Sequence, residues 1–143
     1  MVNINPGQIV YLEHADQRLY TEVIQLTDSQ RLWCRPLMLV CQLPQTPWRQ
    51  QAIEKAAHHP EESDLELYDL KTAPDLLWPL QPFQPAFDTD FFSLLFYLRI
   101  DDANAARAGA KQKFDRFIQT CWRDSRDSDQ KRGTALKTIT SSR

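Results

Sequence analysis

All nine prolines of this 143-residue chain lie at or before Pro85, and this distribution limits the possible folds more than any other feature. Proline fixes φ and removes a backbone donor, so it cuts a chain into short extended pieces and stops helices. The first portion is therefore expected to be β-rich, and the remainder is free to be helical. One domain of ordinary size fits this length, and a chain this long buries enough surface to need neither metal nor disulfides for stability.

The β signals come first. Gly7–Glu13 is a run of strand formers after a Pro-Gly turn, and His14–Gln17 is a polar link of hairpin length leading to Arg18–Leu26. Thr27–Gln30 has turn chemistry and returns the chain into Arg31–Cys41, which completes a three-stranded meander. Pro36 cannot donate to a central ladder, so it predicts an edge or a bulge. Leu65–Leu70 and Asp75–Leu80 read as a fourth and a fifth strand. Five short strands between about residues 5 and 81 predict a small barrel of SH3-like or OB-like type, because closing the sheet removes its exposed edges.

Thr46-Pro47 reads as a helix start, giving an inserted surface helix over about residues 47–57. Asp88-Thr-Asp90 is an acidic cap before Phe91–Leu98, a segment apolar on every side that predicts a covered helix over about 89–99. A second, amphipathic helix is expected over about 102–123, with Ala110, Phe114, Phe117, Ile118 and Cys121 on one face. From Asp124 the sequence reads as a flexible basic tail. The expectation is thus an α+β domain over 1–123 and a tail over 124–143: a five-stranded barrel followed by two C-terminal helices.

Charge divides the chain at the same place. Residues 1–101 carry seven Lys or Arg and fourteen Asp or Glu, net −7, and residues 102–143 carry ten and five, net +5, which sum to the overall −2. An acidic body repels phosphate, so any nucleic-acid contact is expected to run through the basic segment, at Arg126, Lys131, Arg132 and Lys137.

Catalytic signatures are sparse. Three isolated glycines, Gly7, Gly109 and Gly133, leave no phosphate cradle and no nucleophile elbow. Cys34 and Cys41 would sit on opposite faces of a regular strand, and with Cys121 they make neither a redox pair nor a zinc clip. The adjacent His58 and His59 point apart. Cys34 with His14 as base is the one nucleophile pair that can be drawn, and the carboxylate pairs Glu61-Glu62, Asp88/Asp90 and Asp101-Asp102 read as solvated loops or helix starts. No enzyme, metal or cofactor is expected. The start of the chain has no basic-then-apolar leader, and Phe91–Ile100 is too short to span a bilayer, so a cytoplasmic location is expected.

The stretches Asn5–Glu13, Leu19–Gln25, Trp33–Val40, Asp75–Pro79 and Pro85–Asp90 resemble an uncharacterised family of small soluble cyanobacterial proteins over about residues 3–98. The resemblance implies a cytoplasmic or thylakoid-peripheral location and brings no active-site residues with it. The same kind of barrel recurs in small photosynthetic and redox accessory subunits, an analogy at the level of fold.

What remains is contact chemistry. Trp33, Trp48, Trp78, Phe83 and Phe87 exceed what a small β core holds, and Trp78–Pro85 is stiff and rich in anchor residues. The sequence therefore points to a protein-protein interaction or assembly factor, with Trp78, Phe83 and Phe87 as its contact residues. An RNA- or ribosome-associated protein using the basic C-terminal segment is the alternative.

Overall fold

The computed structural model describes residues 4–100 and 109–141, with Asp88 and residues 126–141 as backbone alone. The chain divides into two compact units, Met1–Lys111 and Gln112–Arg143.

The first unit is α+β. Strands β1 (Ile9–His14), β2 (Gln17–Leu26) and β3 (Arg31–Cys41) form the expected antiparallel meander. Their alternating apolar runs are separated by Ala15-Asp16 and by the Thr27–Gln30 turn, where the Thr27 amide donates to the Arg31 carbonyl at 2.8 Å. The outer edge of β3 pairs twice. Its C-terminal half, Met38–Cys41, takes β4 (Glu66–Asp69), and its N-terminal half, Arg31–Cys34, takes β5 (Leu76–Pro79). At the opposite edge β1 takes β6 (Gln84–Pro85), a two-residue strand that sequence periodicity does not register.

The described residues thus form a six-stranded antiparallel sheet with β6 at one edge and β4 and β5 at the other. Five strands were expected, closed into a barrel. Among the described residues no ladder joins the two edges, so the sheet is open in its pairing.

Pro36 marks a bulge. Tyr20 pairs with Met38 but Thr21 pairs with Pro36, so Leu37 is an extra residue in β3. That extra residue shifts the alternation by one, and by register Cys34, Leu39 and Cys41 face the same side of the sheet, opposite Val23, Leu19 and Gln17. The expectation that Cys34 and Cys41 face apart fails for this reason. All three cysteines are free thiols.

Helix α1 (Arg49–His58) starts at Trp48, two residues after the expected Thr46-Pro47 start, and has no side-chain cap. A single 3₁₀ turn, Pro60–Glu62, leads into β4. Helix α2 (Asp88–Ile100) lies where the acidic cap placed it. Together α1 and α2 cover one face of the sheet: Ile53, Ala56, Phe91, Leu94, Leu95 and Leu98 form one buried cluster with Ile9, Tyr20, Met38, Val40 and Leu67. Each large side chain buried there contributes about 1.5–3 kcal/mol.

The second unit is a single helix. Helix α3 (Ala110–Ser141) is helical in backbone past Arg123, through the stretch expected to be a flexible tail. No proline interrupts residues 110–141, and Lys, Arg, Gln and Ala there are strong helix formers. Of the expected 102–123 helix, residues 102–108 lie outside the described residues.

An ion pair between the buried Arg18 and the half-buried Glu13 fastens the β1–β2 hairpin. The Arg18 guanidinium donates to Glu13 Oε2 from Nε at 2.8 Å and from Nη2 at 2.7 Å, and from Nη1 to the Tyr20 hydroxyl at 3.1 Å. It also stacks 3.9 Å from the centroid of the Tyr11 ring. Arg49, at the start of α1, reaches the same carboxylate at 3.5 Å and donates to the carbonyls of Pro44 and Ala15, which ties the helix to the hairpin. Burial lowers the Arg18 pKa, but the attraction of Tyr20 and Glu13 more than offsets that and leaves it raised, so the side chain stays a cation.

Removing Glu13 leaves Arg18 buried without a counter-charge. Glu13→Ala is expected to cost about 2–4 kcal/mol of stability in urea unfolding. A loss below about 0.5 kcal/mol, the range of an exposed pair, would contradict this account of the clip.

Candidate interaction surface

Helix α2 has two apolar faces in only 13 residues. Spacings of three and four put Phe91, Leu94, Leu95 and Leu98 on one side, and that side is buried on the sheet and α1. Phe91 packs its ring 5.2 Å from that of Tyr20. Gln50 of α1 donates to Asp90 at 3.1 Å, and Arg99 donates to the buried Asp69 at 3.2 Å, so both ends of α2 are pinned. The rotation of the helix is thereby set.

The opposite side carries Phe92, Phe96 and Ile100, which are 56%, 67% and 64% exposed. They recur every fourth residue and form one continuous row on the helix surface. Phe92 touches Phe91 edge-on at 5.2 Å, so the row borders the core while standing outside it. Isolated exposed apolar residues need no explanation, but three large ones in a row on a fixed helix are the kind of patch that marks an interface.

The structure places the three expected contact aromatics differently from one another. Trp78 and Phe83 are buried, and side chains so enclosed have no face left for a partner. Phe87 is exposed, just ahead of α2. Arg126, Lys131, Arg132 and Lys137 lie on the helical backbone of α3, and their side chains are outside the described residues.

The sequence signal for Phe92 and Phe96 is the all-round apolarity of their helix, which predicts a covered helix, whereas both side chains are exposed. A smaller patch lies on the sheet. Trp33 and Leu77 face one another across the β3–β5 ladder, both exposed, beside Asp75, which accepts from Trp33 Nε1 at 3.1 Å and pairs with Arg35 at 3.7 Å.

The structure does not bring Cys34 and His14 together. Cys34 pairs opposite Val23 and His14 opposite Gln17, so six residues of β2, about 20 Å, separate the proposed nucleophile from its base. Burial pushes the Cys34 thiol up to about 11, against the opposing hydrogen bond with Thr21, so it is no thiolate at neutral pH. Two hollows flank the 3₁₀ turn. One of about 240 Å³ is lined by residues including Ala56, Leu65 and Tyr97, and one of about 250 Å³ by residues including Ala52, Lys55 and Asp64. Both are smaller than ordinary ligand pockets of roughly 300–1,000 Å³. Among the described residues no group of three or more His, Cys, Asp or Glu could hold a metal ion, and no helix is long and apolar enough to cross a membrane.

Two outcomes separate core from surface. Trp78→Ala or Phe83→Ala is expected to cost about 3–5 kcal/mol in denaturant unfolding, while Phe96→Ser stays within about 0.5 kcal/mol of the parent; equal effects would contradict the placement. Cys34 supplies a pH dependence: its folded pKa of about 11 lies above its ordinary 9.0. Its contribution is therefore full below about pH 9 and is lost as pH rises towards about 11. Cys34→Ala should flatten the fall in stability across that window, and an unchanged slope would show that the thiol is not shielded.

Compared with family models, with curated proteins and with solved structures, the chain matches none.

Proposed function

We propose that this chain is a non-enzymatic interaction module, an assembly or accessory factor that docks a protein partner on the outer face of α2. The observation that carries this reading is the exposed row Phe92, Phe96 and Ile100 on a helix pinned at both ends. A helix whose inner face is already packed gains nothing within its own unit from a second apolar face. Burying that face against a partner removes apolar surface from water and orders little that is not already ordered, which favours binding. The contact residues of this reading are Phe92, Phe96 and Ile100, with Phe87 beside them in the sequence, in place of Trp78 and Phe83.

The finer architecture belongs to the same reading. A strand with two partners in succession along one edge, as β3 has in β4 and β5, and with bulges at Leu37 and Ile24, is the means by which a small sheet curls towards an SH3-like or OB-like barrel. The resemblance to the cyanobacterial family supports a cytoplasmic or thylakoid-peripheral location.

The test is a pull-down from extract of the source cells with full-length tagged protein, parent against Phe92→Ser/Phe96→Ser, with and without nuclease. A stoichiometric protein that survives nuclease and is lost with the double variant is the expected result. Equal recovery by parent and variant would overturn the reading. Recovery of RNA-linked proteins that vanish with nuclease would move the function to the basic residues of α3.

A further inference from the structure

We infer that the free edge of β4 takes an extended, basic peptide of a partner protein as a further strand, with one apolar side chain of that peptide seated in the hollow between α1 and α2. This surface is separate from the outer face of α2 and does not rest on it.

Backbone register is the first support. Among the described residues β4 ends the sheet on its side, with β3 on one flank and no strand on the other. The Leu70 amide donates to the Leu37 carbonyl at 3.0 Å, so these two form a bonded pair. Bonded and non-bonded pairs alternate along an antiparallel ladder, so Leu39–Tyr68 and Cys41–Glu66 are bonded while Met38–Asp69 and Val40–Leu67 are not. Leu67 and Asp69 therefore turn amide and carbonyl away from β3, and among the described residues no backbone bond takes up those groups. Donor and acceptor repeating at every second residue is what an added strand matches. A helix, whose own backbone is satisfied, does not match it.

The hollow gives that strand a seat for a side chain. It has about 240 Å³ and is lined by Leu65 and Leu67 beside Ala56 of α1, Tyr97 of α2 and Glu61 of the 3₁₀ turn, among others. No residue of β3 lines it, so it opens on the far flank of β4. Too small for a drug-sized ligand, it has room for one apolar side chain. Alternate residues of a strand point to one face of the sheet, so one residue of the peptide enters the hollow beside Leu65 and Leu67.

Charge selects the peptide. Glu61, Glu62 and Asp64 are exposed around this hollow and its neighbour, and among the described residues no ion pair engages them. Against these three carboxylates stands one ammonium, that of Lys55. Such a rim favours Lys or Arg on either side of the seated apolar residue. Arg99, bonded to the Asp69 carboxylate, marks the end of the free stretch.

Selection of random peptides of about ten residues, the upper length of an ordinary strand, against the full-length protein tests this. The expected winners carry a large apolar residue flanked by Lys or Arg, and they shift the amide resonances of Leu67 and Asp69. N-methylation of alternate peptide amides should abolish binding at one parity and spare it at the other, because a strand at the edge bonds along one side only. Glu61→Lys/Glu62→Lys/Asp64→Lys, all at exposed positions, should weaken binding at least about tenfold with unchanged circular dichroism. Phe92→Ser/Phe96→Ser should leave it unchanged. The inference is overturned if no peptide is selected, if the winners lack basic residues, if both parities of methylation are equally damaging, or if the triple variant binds as the parent does. Loss on Phe92→Ser/Phe96→Ser with the triple variant unaffected would put the peptide on the outer face of α2, refuting the edge and leaving the proposed function in place.

Discussion

Phe91, Leu94 and Leu98 pack α2 into the same cluster as Tyr20, Met38 and Val40, and this contact between helix and sheet is the one on which the rest of the first unit depends. The three residues are fully buried, and they fill the sheet face together with Ile53 and Ala56 of α1. An apolar helix laid on a sheet can bury only the side that meets it. Because Gln50 holds one end through Asp90 and Asp69 holds the other through Arg99, the helix cannot roll to hide the rest. The exposed row of Phe92, Phe96 and Ile100 is thus a consequence of how the core is built.

A second constraint lies at the start of α1. Arg18 is buried between Tyr11, Tyr20 and Glu13, and the same carboxylate reaches Arg49. Buried charges persist where a partner and hydrogen bonds compensate their lost hydration, and here both are supplied by neighbouring positions on one hairpin. The clip fixes the register of β1 on β2 and sets where α1 begins, which in turn positions Gln50 under α2. The apolar contact and the ionic one therefore act in series: one seats the helices, and the other sets where they start.

Much of this was legible in the sequence. The three strands of the meander and the position of α2 follow from β-branched and apolar runs bounded by turn residues, and from an acidic cap ahead of an apolar run. The bulge at Pro36 was legible too, but not its effect on Cys34 and Cys41, because alternation is counted residue by residue and one extra residue inverts it. The short pairing of β6 with β1 carries no periodicity and is visible only in the tertiary structure. Aromatic content does not say which of the aromatics are exposed. Trp78 has strand neighbours that enclose it, whereas Phe96 differs from Phe91 only in the side of the helix it occupies, which no composition reveals. Polar composition after Asp124 suggested a tail, yet a run free of proline and rich in helix formers continues α3 to Ser141.

The account stands on one claim, that Phe92 and Phe96 are bare in the isolated fold and covered when the protein works. Hydroxyl-radical footprinting of the side chains, read by mass spectrometry on dilute purified protein and again inside cells, measures this directly. The account predicts that Phe92 and Phe96 are modified readily in the dilute protein while Phe91 is not, and that both become protected in cells. Equal modification of Phe92 and Phe96 in the two settings, or their protection in the dilute protein, would contradict it.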